Sequence, residues 1–254
     1  MTYTLNSHTF VCIDRRRAVI LDLKQDRYLQ IGLEDSNRLA GYIQGWPSAG
    51  QLGALPDGGS GGAADVMSAE CATSEHVQAG QVGQGLSDLA RLGLISVQSD
   101  PAALAGRVVL PAPQCDLSSR SVAPPARTWR TLWRCHRAGR LARRWLRTLP
   151  LHEVVRRVGA LHDRNVSSPM DRPLAQHVVG AFLYLRPYLR PSKEACLLES
   201  LSLLLALGAY RIHAHWVFGV RTEPFLAHCW LQRHDCVLDD SLYRVRQFTP
   251  IMVV

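Results

Sequence analysis

The sequence predicts an α+β protein of two domains, and three observations lead to this prediction. Short apolar runs separated by turn residues fill the first hundred positions, a Pro-rich stretch follows, and long helical patterns then give way to strand-like runs. The chain has 254 residues, of which 47% are hydrophobic, so it can bury a sizeable core. No apolar run reaches the roughly 18 residues that a membrane span requires.

The N-terminal domain, residues 1–98, is predicted to have a winged-helix-like arrangement. Strands are expected at 9–13, 18–23, 27–31 and 94–97, and helices at 33–46 and 76–92. Lys24, Gln25 and Asp26 form the expected tight hairpin turn, and Gly93 suits the end of the second helix. Residues 47–64 are rich in Gly, Pro and Ser, which is typical of a flexible insertion.

The second domain, residues 128–254, is predicted to begin with helices and to end in an antiparallel sheet. Residues 99–127 contain five prolines and are interpreted as an interdomain linker. Helices are expected at 129–149, 151–161, 174–185 and 195–207, and strands at 211–220, 225–232 and 236–241. Ser192 and Gly208 suit the start and the end of the last helix.

The net charge of +8 is unevenly distributed along the chain. Residues 1–100 contain 7 basic and 11 acidic residues, whereas the remainder contains 22 basic and 10 acidic ones. Eight arginines between positions 127 and 147 recur mostly every three or four residues and form one helical stripe. A solvated face and a docking surface for a partner or an acidic ligand both explain this stripe, whereas the scarcity of lysine argues against nucleic-acid binding.

Cysteine usage and the N-terminus predict a cytoplasmic protein. The seven cysteines form no close CxxC pair, which is typical of reduced thiols. The first residues lack the basic and apolar segments of a secretory signal. No metal site is predicted, because the spacings of His213, His215, Cys229, His234 and Cys236 fit no standard zinc motif.

Cys196, His228 and one of two aspartates are the candidate catalytic residues. Cys196 falls in the first turn of a predicted helix, where unpaired N–H groups and the helix dipole favour a thiolate. His228 lies in the middle of a strand, and the following strand folds back beside it. An odd-numbered turn places Asp240 opposite His228, whereas an even-numbered turn brings Asp239 to that face.

These residues have a simple structural interpretation as well as a catalytic one. A cysteine on a buried helix is usually an inert small hydrophobic residue, and a histidine in a strand is usually a hydrogen-bonded core residue. A thiol, a base and an orienting carboxylate are nevertheless the parts of a cysteine hydrolase or acyltransferase. The order of the three along helix, strand and next strand favours the catalytic interpretation.

Two segments resemble the leader peptidases of lasso-peptide biosynthesis, namely RPSKEACLLESLSLLLALGAY and FGVRTEPFLAHCWLQRHDCVLDD. The matching positions are Cys196, Ser200, Leu201, Gly208, Gly219, Val220, Pro224, Phe225, Ala227, His228 and Trp230. The resemblance covers roughly residues 130–254 and implies a transglutaminase-like, papain-like fold. The sequence departs from the family at Gln232, where Glu is usual, and at Cys229, where Ala is usual.

This resemblance also implies roles and partners. Cys196 is the implied nucleophile and His228 the base, and the family's spacing assigns the orienting carboxylate to Asp240. The family removes the leader of a precursor peptide and passes the product to an asparagine-synthetase-like lasso cyclase. Its cleavage is associated with ATP, but this chain has no GxxxxGK[ST] motif. We therefore expect no cofactor bound covalently or through a recognisable motif, and ATP to be required, if at all, by the wider system.

The first domain resembles the leader-recognition domains of ribosomal peptide biosynthesis, the fold of the pyrroloquinoline quinone chaperone. The resemblance is carried by AVILDLKQDRYLQIGL and VGQGLSDLARLGLI. It implies that a leader docks as an added strand between residues 27–31 and a helix near 82–92. The implied leader-binding residues are Arg27, Tyr28, Leu29, Gln30, Ile31, Leu86 and Leu89.

Taken together, the sequence predicts a cytoplasmic thiol peptidase that binds a leader peptide and hydrolyses the leader–core bond. Two alternatives remain open: a transglutaminase-like acyl transferase or amidase on another substrate, and a non-catalytic leader-binding scaffold. No nucleic-acid or membrane partner is expected.

Overall fold

A computed structural model describes residues 2–47, 74–76, 82–97, 110–117, 129–162, 171–186 and 195–254. The chain is divided into two compact units, neither of which is continuous in sequence. The first unit comprises Met1–Arg107, Val220–Ala227 and Thr249–Ile251. The second comprises Val108–Gly219, His228–Phe248 and Met252–Val254.

Among the described residues, nine elements lie in the N-terminal part of the first unit. They are β1 (Tyr3–Leu5), β2 (Thr9–Asp14), β3 (Arg17–Asp22), β4 (Arg27–Gly32), α1 (Leu33–Ala40), β5 (Ile43–Gln44), β6 (Ser74–His76), α2 (Val82–Arg91) and β7 (Ile95–Ser96). One sheet has the strand order β2-β3-β4-β6 and a smaller one the order β5-β1-β7. The β2–β3–β4 meander is antiparallel, whereas β6 pairs parallel with the outer edge of β4.

The predicted N-terminal strands lie where the apolar runs placed them, with ends that differ by one residue. Tight turns join them, and Arg15 and Asp26 adopt positive φ values of 52° and 51° there. The predicted helix over 33–46 ends earlier, at Ala40, and its last residues contain β5. The second helix begins at Val82 rather than at 76. The predicted insertion, 47–64, lies outside the described residues except for Pro47.

A buried carboxylate connects the three segments of the first unit. Asp14 at the end of β2 accepts hydrogen bonds from the backbone N–H of Thr222 at 2.8 Å and from its Oγ1 at 2.7 Å. Oγ1 of Thr249 donates a third, at 2.7 Å. Asp14 is only 3% exposed, so these donors replace the water that its carboxylate would otherwise need.

The remaining elements form the helices and the C-terminal sheet. They are β8 (Cys115–Asp116), α3 (Trp129–Thr148), α4 (Leu151–His162), α5 (Arg172–Leu185), α6 (Ala195–Gly208), β9 (His215–Thr222), β10 (Phe225–Arg233), β11 (Cys236–Val237), α7 (Leu242–Val245) and β12 (Thr249–Val253). The sheet has the order β12-β9-β10-β11-β8. The protein is therefore of mixed α+β class.

Helix α3 packs closely on α6 through small side chains. Its buried residues are Thr131, Cys135, Ala138, Gly139 and Ala142. The opposite face carries the arginines of the predicted stripe from Arg130 to Arg147, together with exposed apolar residues, among them Trp129 and Trp133. Arg127, the first arginine of the stripe, lies outside the described residues. Arg137 lies over the Trp133 ring at 4.6 Å from its centroid, which covers part of that exposed surface.

The predicted linker contains an element of the sheet. β8 lies within residues 99–127 and pairs parallel with β11, with Cys115 opposite Cys236. The Asp116 carboxylate accepts a hydrogen bond from the backbone N–H of Leu242 at 2.9 Å, at the start of α7. No helix in the described part of the chain is long and apolar enough to cross a membrane.

Candidate active site

Cys196 is the second residue of α6 and is partly exposed, while most of the helix behind it is buried. Leu201, Leu203 and Leu207 are fully buried, so the helix is held firmly in the core. The first N–H groups of any helix have no partner within that helix. The Cys196 side chain therefore lies close to the positive end of the helix dipole, as the sequence predicts.

His228 lies in β10 and is 6% exposed. Its ring stacks on Trp230, with centroids 6.1 Å apart, and lies 5.1 Å from the ring centroid of Phe248. Gly219 on β9 makes room for Trp230, because a Cβ at position 219 would lie 2.7 Å from the indole ring. The aromatic surroundings fix the orientation of the imidazole.

Asp240 is hydrogen-bonded to His228, with 2.6 Å between its Oδ2 and the imidazole Nε2. Its Oδ1 accepts the backbone N–H of Ser241 at 2.7 Å, so both carboxylate oxygens are held. Arg244 lies 3.7 Å from Oδ2 and adds a positive charge. The structure thus brings Asp240, rather than Asp239, to the imidazole.

The hairpin geometry differs from the odd-turn alternative. Gln232 pairs with Val237 and Arg233 with Cys236, which leaves a two-residue, even-numbered turn at 234–235. His234 adopts a φ of 52° in this turn. A regular ladder would then have brought Asp239 to the His228 face. Because β11 ends at Val237, the chain leaves the ladder and Asp240 reaches His228 instead.

Asp239 has a different environment. Its carboxylate accepts the backbone N–H of Leu231 at 2.8 Å and so takes the place of a strand partner. Burial raises the pKa of Asp239 to about 7. For Asp240, burial alone would raise the pKa, but the hydrogen bond to His228 and its charge outweigh burial and lower it. The two neighbouring carboxyl groups therefore differ in charge state near neutral pH.

The electrostatics favour a thiolate at Cys196. A hydrogen bond from the Cys229 side chain is the largest cause; together with a hydrogen bond to His228 and its charge, it outweighs burial and lowers the pKa of Cys196 to about 4. Burial alone would lower the pKa of His228, but bonds to Asp240 and Cys196 raise it to about 9. Between these values a thiolate and an imidazolium coexist.

The two ring nitrogens of His228 differ in their hydrogen bonding. Nε2 is engaged by Asp240, whereas Nδ1 is buried and has no hydrogen bond of ordinary geometry within the described ranges. Nδ1 is therefore the ring nitrogen left for proton exchange with Cys196, while the bond to Asp240 fixes the tautomer. The catalytic roles of the three residues stay a prediction.

Sequence reasoning missed a set of polar residues around Cys196. The Ser200 Oγ donates to the Cys196 carbonyl oxygen at 2.7 Å and accepts from Trp216 Nε1 at 2.8 Å. It also lies 3.3 Å from the Cys229 sulfur. The substitution of Cys for the usual Ala at position 229 was the signal that could have identified this cluster.

The cysteines and histidines weighed as metal ligands do not converge. In the part of the chain that the structure describes, no group of three His, Cys, Asp or Glu side chains is arranged to hold a metal ion. Cys236 instead contacts the thiol of Cys115 across the β8–β11 pair. Gln232, the other departure from the family pattern, donates to the carbonyl oxygens of Pro111 and His234 and is buried.

Most of the residues that are predicted to bind a leader lie in the interior of the first unit. Leu29, Gln30, Ile31, Leu86 and Leu89 are buried, and the four apolar ones belong to the core of the first unit.

The two remaining positions have partners within the same unit. Arg27 contacts the Asp22 carboxylate at 3.4 Å, and Tyr28 packs edge-on against Phe225 with centroids 5.6 Å apart. The edge of β4 that was expected to accept the leader is paired with β6, Leu29 lying opposite Glu75. The binding role of these residues stays a prediction.

Residues 137–253 match the family described as Transglutaminase-like superfamily. This part of the chain is a transglutaminase-like domain. The transglutaminase-like domain contains Cys196, His228 and Asp240, and it begins within α3.

The transglutaminase-like domain accounts for less than half of the chain, and one curated relative adds a shorter similarity. The chain is 41% identical over 49 residues to the Microcin J25-processing protein McjB of Escherichia coli. The matched stretch is 19% of this chain and 24% of that protein, so the chain spans only about a quarter of that relative. No solved structure matches the chain significantly.

Proposed function

We propose that the chain is a cysteine peptidase that removes the leader segment of a precursor peptide during lasso-peptide maturation. The observation that carries the proposal is the cluster of Cys196, His228 and Asp240, in which a hydrogen-bonded carboxylate orients an imidazole beside a thiolate. The similarity to a microcin-processing protein supports a ribosomal peptide as the substrate class.

In the first step, the Cys196 thiolate attacks the carbonyl carbon of the leader–core bond. The developing oxyanion is positioned near the first turn of α6, where the backbone N–H of Cys196 is a candidate donor. The His228 imidazolium then protonates the leaving amine of the core through Nδ1. The C–N bond breaks, and the leader remains as a thioester on Cys196.

In the second step, the neutral imidazole removes a proton from water, which attacks the thioester. The leader leaves with a new carboxylate, and the thiolate–imidazolium pair is restored. Asp240 keeps Nδ1 directed at the reaction in both steps and stabilises the imidazolium. The freed amine of the core is then available to a separate ring-closing enzyme, for which a lasso cyclase is the proposed partner.

The test uses the full-length chain and synthetic lasso-type precursor peptides, in water enriched in ¹⁸O. Mass spectrometry is expected to detect free core and a leader whose new carboxyl group contains one ¹⁸O atom. Cys196→Ala should abolish cleavage, and Cys236→Ala, which removes a buried thiol of strand β11, should retain it. Cleavage by the Cys196→Ala variant would refute the proposal.

The match to the Transglutaminase-like superfamily favours acyl transfer as the second candidate function. An acyl transferase forms the same thioester but passes the acyl group to an amine instead of water. Adding methylamine to the ¹⁸O experiment separates the two reactions, because transfer gives a leader amide without ¹⁸O. A scaffold without catalytic activity would give neither product, and its Cys196 would be alkylated slowly.

A further inference from the structure

Cys229 is a second thiol at the candidate active site, and the reaction described above does not use it. It directly follows His228 in β10, is 4% exposed, and is a free thiol like Cys196. Hydrogen bonds from its side chain and its backbone N–H are among the causes that lower the pKa of Cys196. The Ser200 Oγ lies 3.3 Å from the Cys229 sulfur and 2.7 Å from the Cys196 carbonyl oxygen, so the two cysteines are neighbours, one on a helix and one on a strand.

The surrounding groups hold the Cys229 thiol in this position. Trp216 Nε1 can only donate, so the Ser200 hydroxyl accepts its bond at 2.8 Å. Ser200 in turn lies 2.7 Å from the Cys196 carbonyl oxygen and 3.3 Å from the Cys229 sulfur. Ser200 is 1% exposed, so water does not compete for these bonds. One buried network thus positions both cysteines.

The two thiols differ in charge and in access. Cys196 is partly exposed and carries the thiolate, which is the form that reacts with peroxides. Burial, with the neighbouring thiolate, holds the pKa of Cys229 well above its ordinary value, so it stays protonated. An oxidant is therefore expected to react first at Cys196, with an intact thiol next to the product.

We propose that Cys196 and Cys229 form a hydroperoxide-sensitive pair, in which Cys229 is the resolving thiol that converts oxidised Cys196 into a reducible disulfide. The Cys196 thiolate attacks one peroxide oxygen, the O–O bond breaks, and Cys196 becomes a sulfenic acid while hydroxide leaves and is protonated. The Cys229 sulfur then attacks the Cys196 sulfur and the S–O bond breaks. The departing hydroxide takes the Cys229 proton and forms water.

Hydrogen peroxide is the oxidant in this reaction and accepts all the electrons that the two thiols lose. Two thiols lose two electrons and two protons in total, the peroxide gains them, and two water molecules are formed. An excess thiol such as dithiothreitol reverses the change by exchange at the disulfide. Without a resolving thiol, the sulfenic acid persists and a second peroxide converts it to a sulfinic acid, which dithiothreitol does not reduce.

The experiment treats the full-length protein with hydrogen peroxide and reads the chemical state of each cysteine by peptide mass spectrometry. We expect the peptides containing Cys196 and Cys229 to become cross-linked with loss of two hydrogen atoms. Alkylation of Cys196 by iodoacetamide should be lost and then restored by dithiothreitol. In Cys229→Ser, which keeps a hydrogen-bond donor of similar size, Cys196 should gain oxygen atoms and should not recover.

Cys236→Ala is the matched control, since it removes a buried thiol of the same sheet that contacts Cys115. It should behave like the unmodified protein. Circular dichroism and urea unfolding show whether Cys229→Ser is folded, and Cys229→Ala serves as a second variant. A wild-type product that gains only oxygen, a cross-link to any other cysteine, or full recovery of Cys229→Ser would overturn the proposal.

This inference rests on the same reactive Cys196 as the proposed function, but the reactant is a peroxide instead of a peptide. The readout is the mass of cysteine-containing peptides, so the disulfide forms or fails to form whether or not any peptide is cleaved. Rapid alkylation of Cys196 without a cross-link would reject the resolving role alone. Cross-linking without cleavage of any precursor would reject the peptidase alone.

Discussion

Replacing Asp240 by Asn tests how far the carboxylate stabilises the charged form of His228. The bond that would change is short, at 2.6 Å, and the His228 side chain is only 5% exposed. Hydrogen bonds to charged groups contribute about 1.5–3 kcal/mol. A loss of that size corresponds to lowering the pKa of His228 from about 9 to about 7 or 8.

The effect on stability depends on pH, and its sign follows from the direction of the shift. The pKa of His228 is raised in the folded protein above its ordinary value of 6.5. Its contribution is therefore fully present below about pH 6.5 and is lost as pH rises through about 9. Asp240→Asn should lower the free energy of unfolding by about 2 kcal/mol at pH 6, and by clearly less near pH 10.

Urea unfolding followed by circular dichroism at several pH values measures this difference. Asp239→Asn is the matched control: the amide oxygen of the new side chain can still accept the Leu231 N–H, and the Asp239 carboxyl, with a pKa of about 7, is mostly neutral at pH 6. We expect it to change stability little at that pH. An equal loss in both variants, or a loss in Asp240→Asn that does not depend on pH, would refute the reasoning.

Three further variants test other parts of the fold. Gly219→Ala should destabilise the protein by about 1–3 kcal/mol, seen as a lower Tm, because the new Cβ would lie 2.7 Å from the buried Trp230 ring. Asp14→Ala should cost about 2–3 kcal/mol in urea unfolding, because it leaves the buried backbone N–H of Thr222 without its acceptor. Glu75→Pro should weaken β6 and increase the affinity of β4 for a labelled leader peptide, measured by fluorescence anisotropy, if the leader adds to the β4 edge.

Each of these three variants has a control variant with a smaller expected effect. Gly159→Ala, in a helix with open space around the added Cβ, should be neutral or slightly stabilising. Asp14→Asn keeps one oxygen acceptor and should be milder than the alanine variant. Glu75→Ala keeps the backbone N–H and should change leader affinity little. If a control variant had a larger effect than the variant it is compared with, the structural explanation for that pair would be contradicted.

The sequence predicted elements well where a long pattern was present. The strands β2, β3 and β4 are apolar runs whose residues are mostly buried, and the helices α3 to α6 are long, so both patterns are visible without the fold. The positions of Cys196 and His228 followed from those patterns. Their neighbour Asp240 followed from the resemblance, because the spacing alone left Asp239 equally possible.

Short or distant pairings could not be predicted in the same way. β8 and β11 have two residues each, which is too few for any period, and β8 pairs with a strand more than a hundred residues away. Asp240 reaches His228 only because the hairpin ladder stops at Val237, an event that local propensity does not encode. The proximity of Cys196 and Cys229 likewise depends on how α6 packs against β10.

The first compact unit combines segments that are far apart in the chain, and this has a consequence for how the protein folds during synthesis. Residues 1–107 leave the ribosome early, but the unit also needs Thr222 and Thr249, whose donors satisfy the buried Asp14. During synthesis this carboxylate lacks those donors until nearly the whole chain has been translated. Contacts that span so many residues also slow folding. Chains that are truncated near the C-terminus should therefore lose protease resistance in their N-terminal hundred residues, far from the cut in sequence.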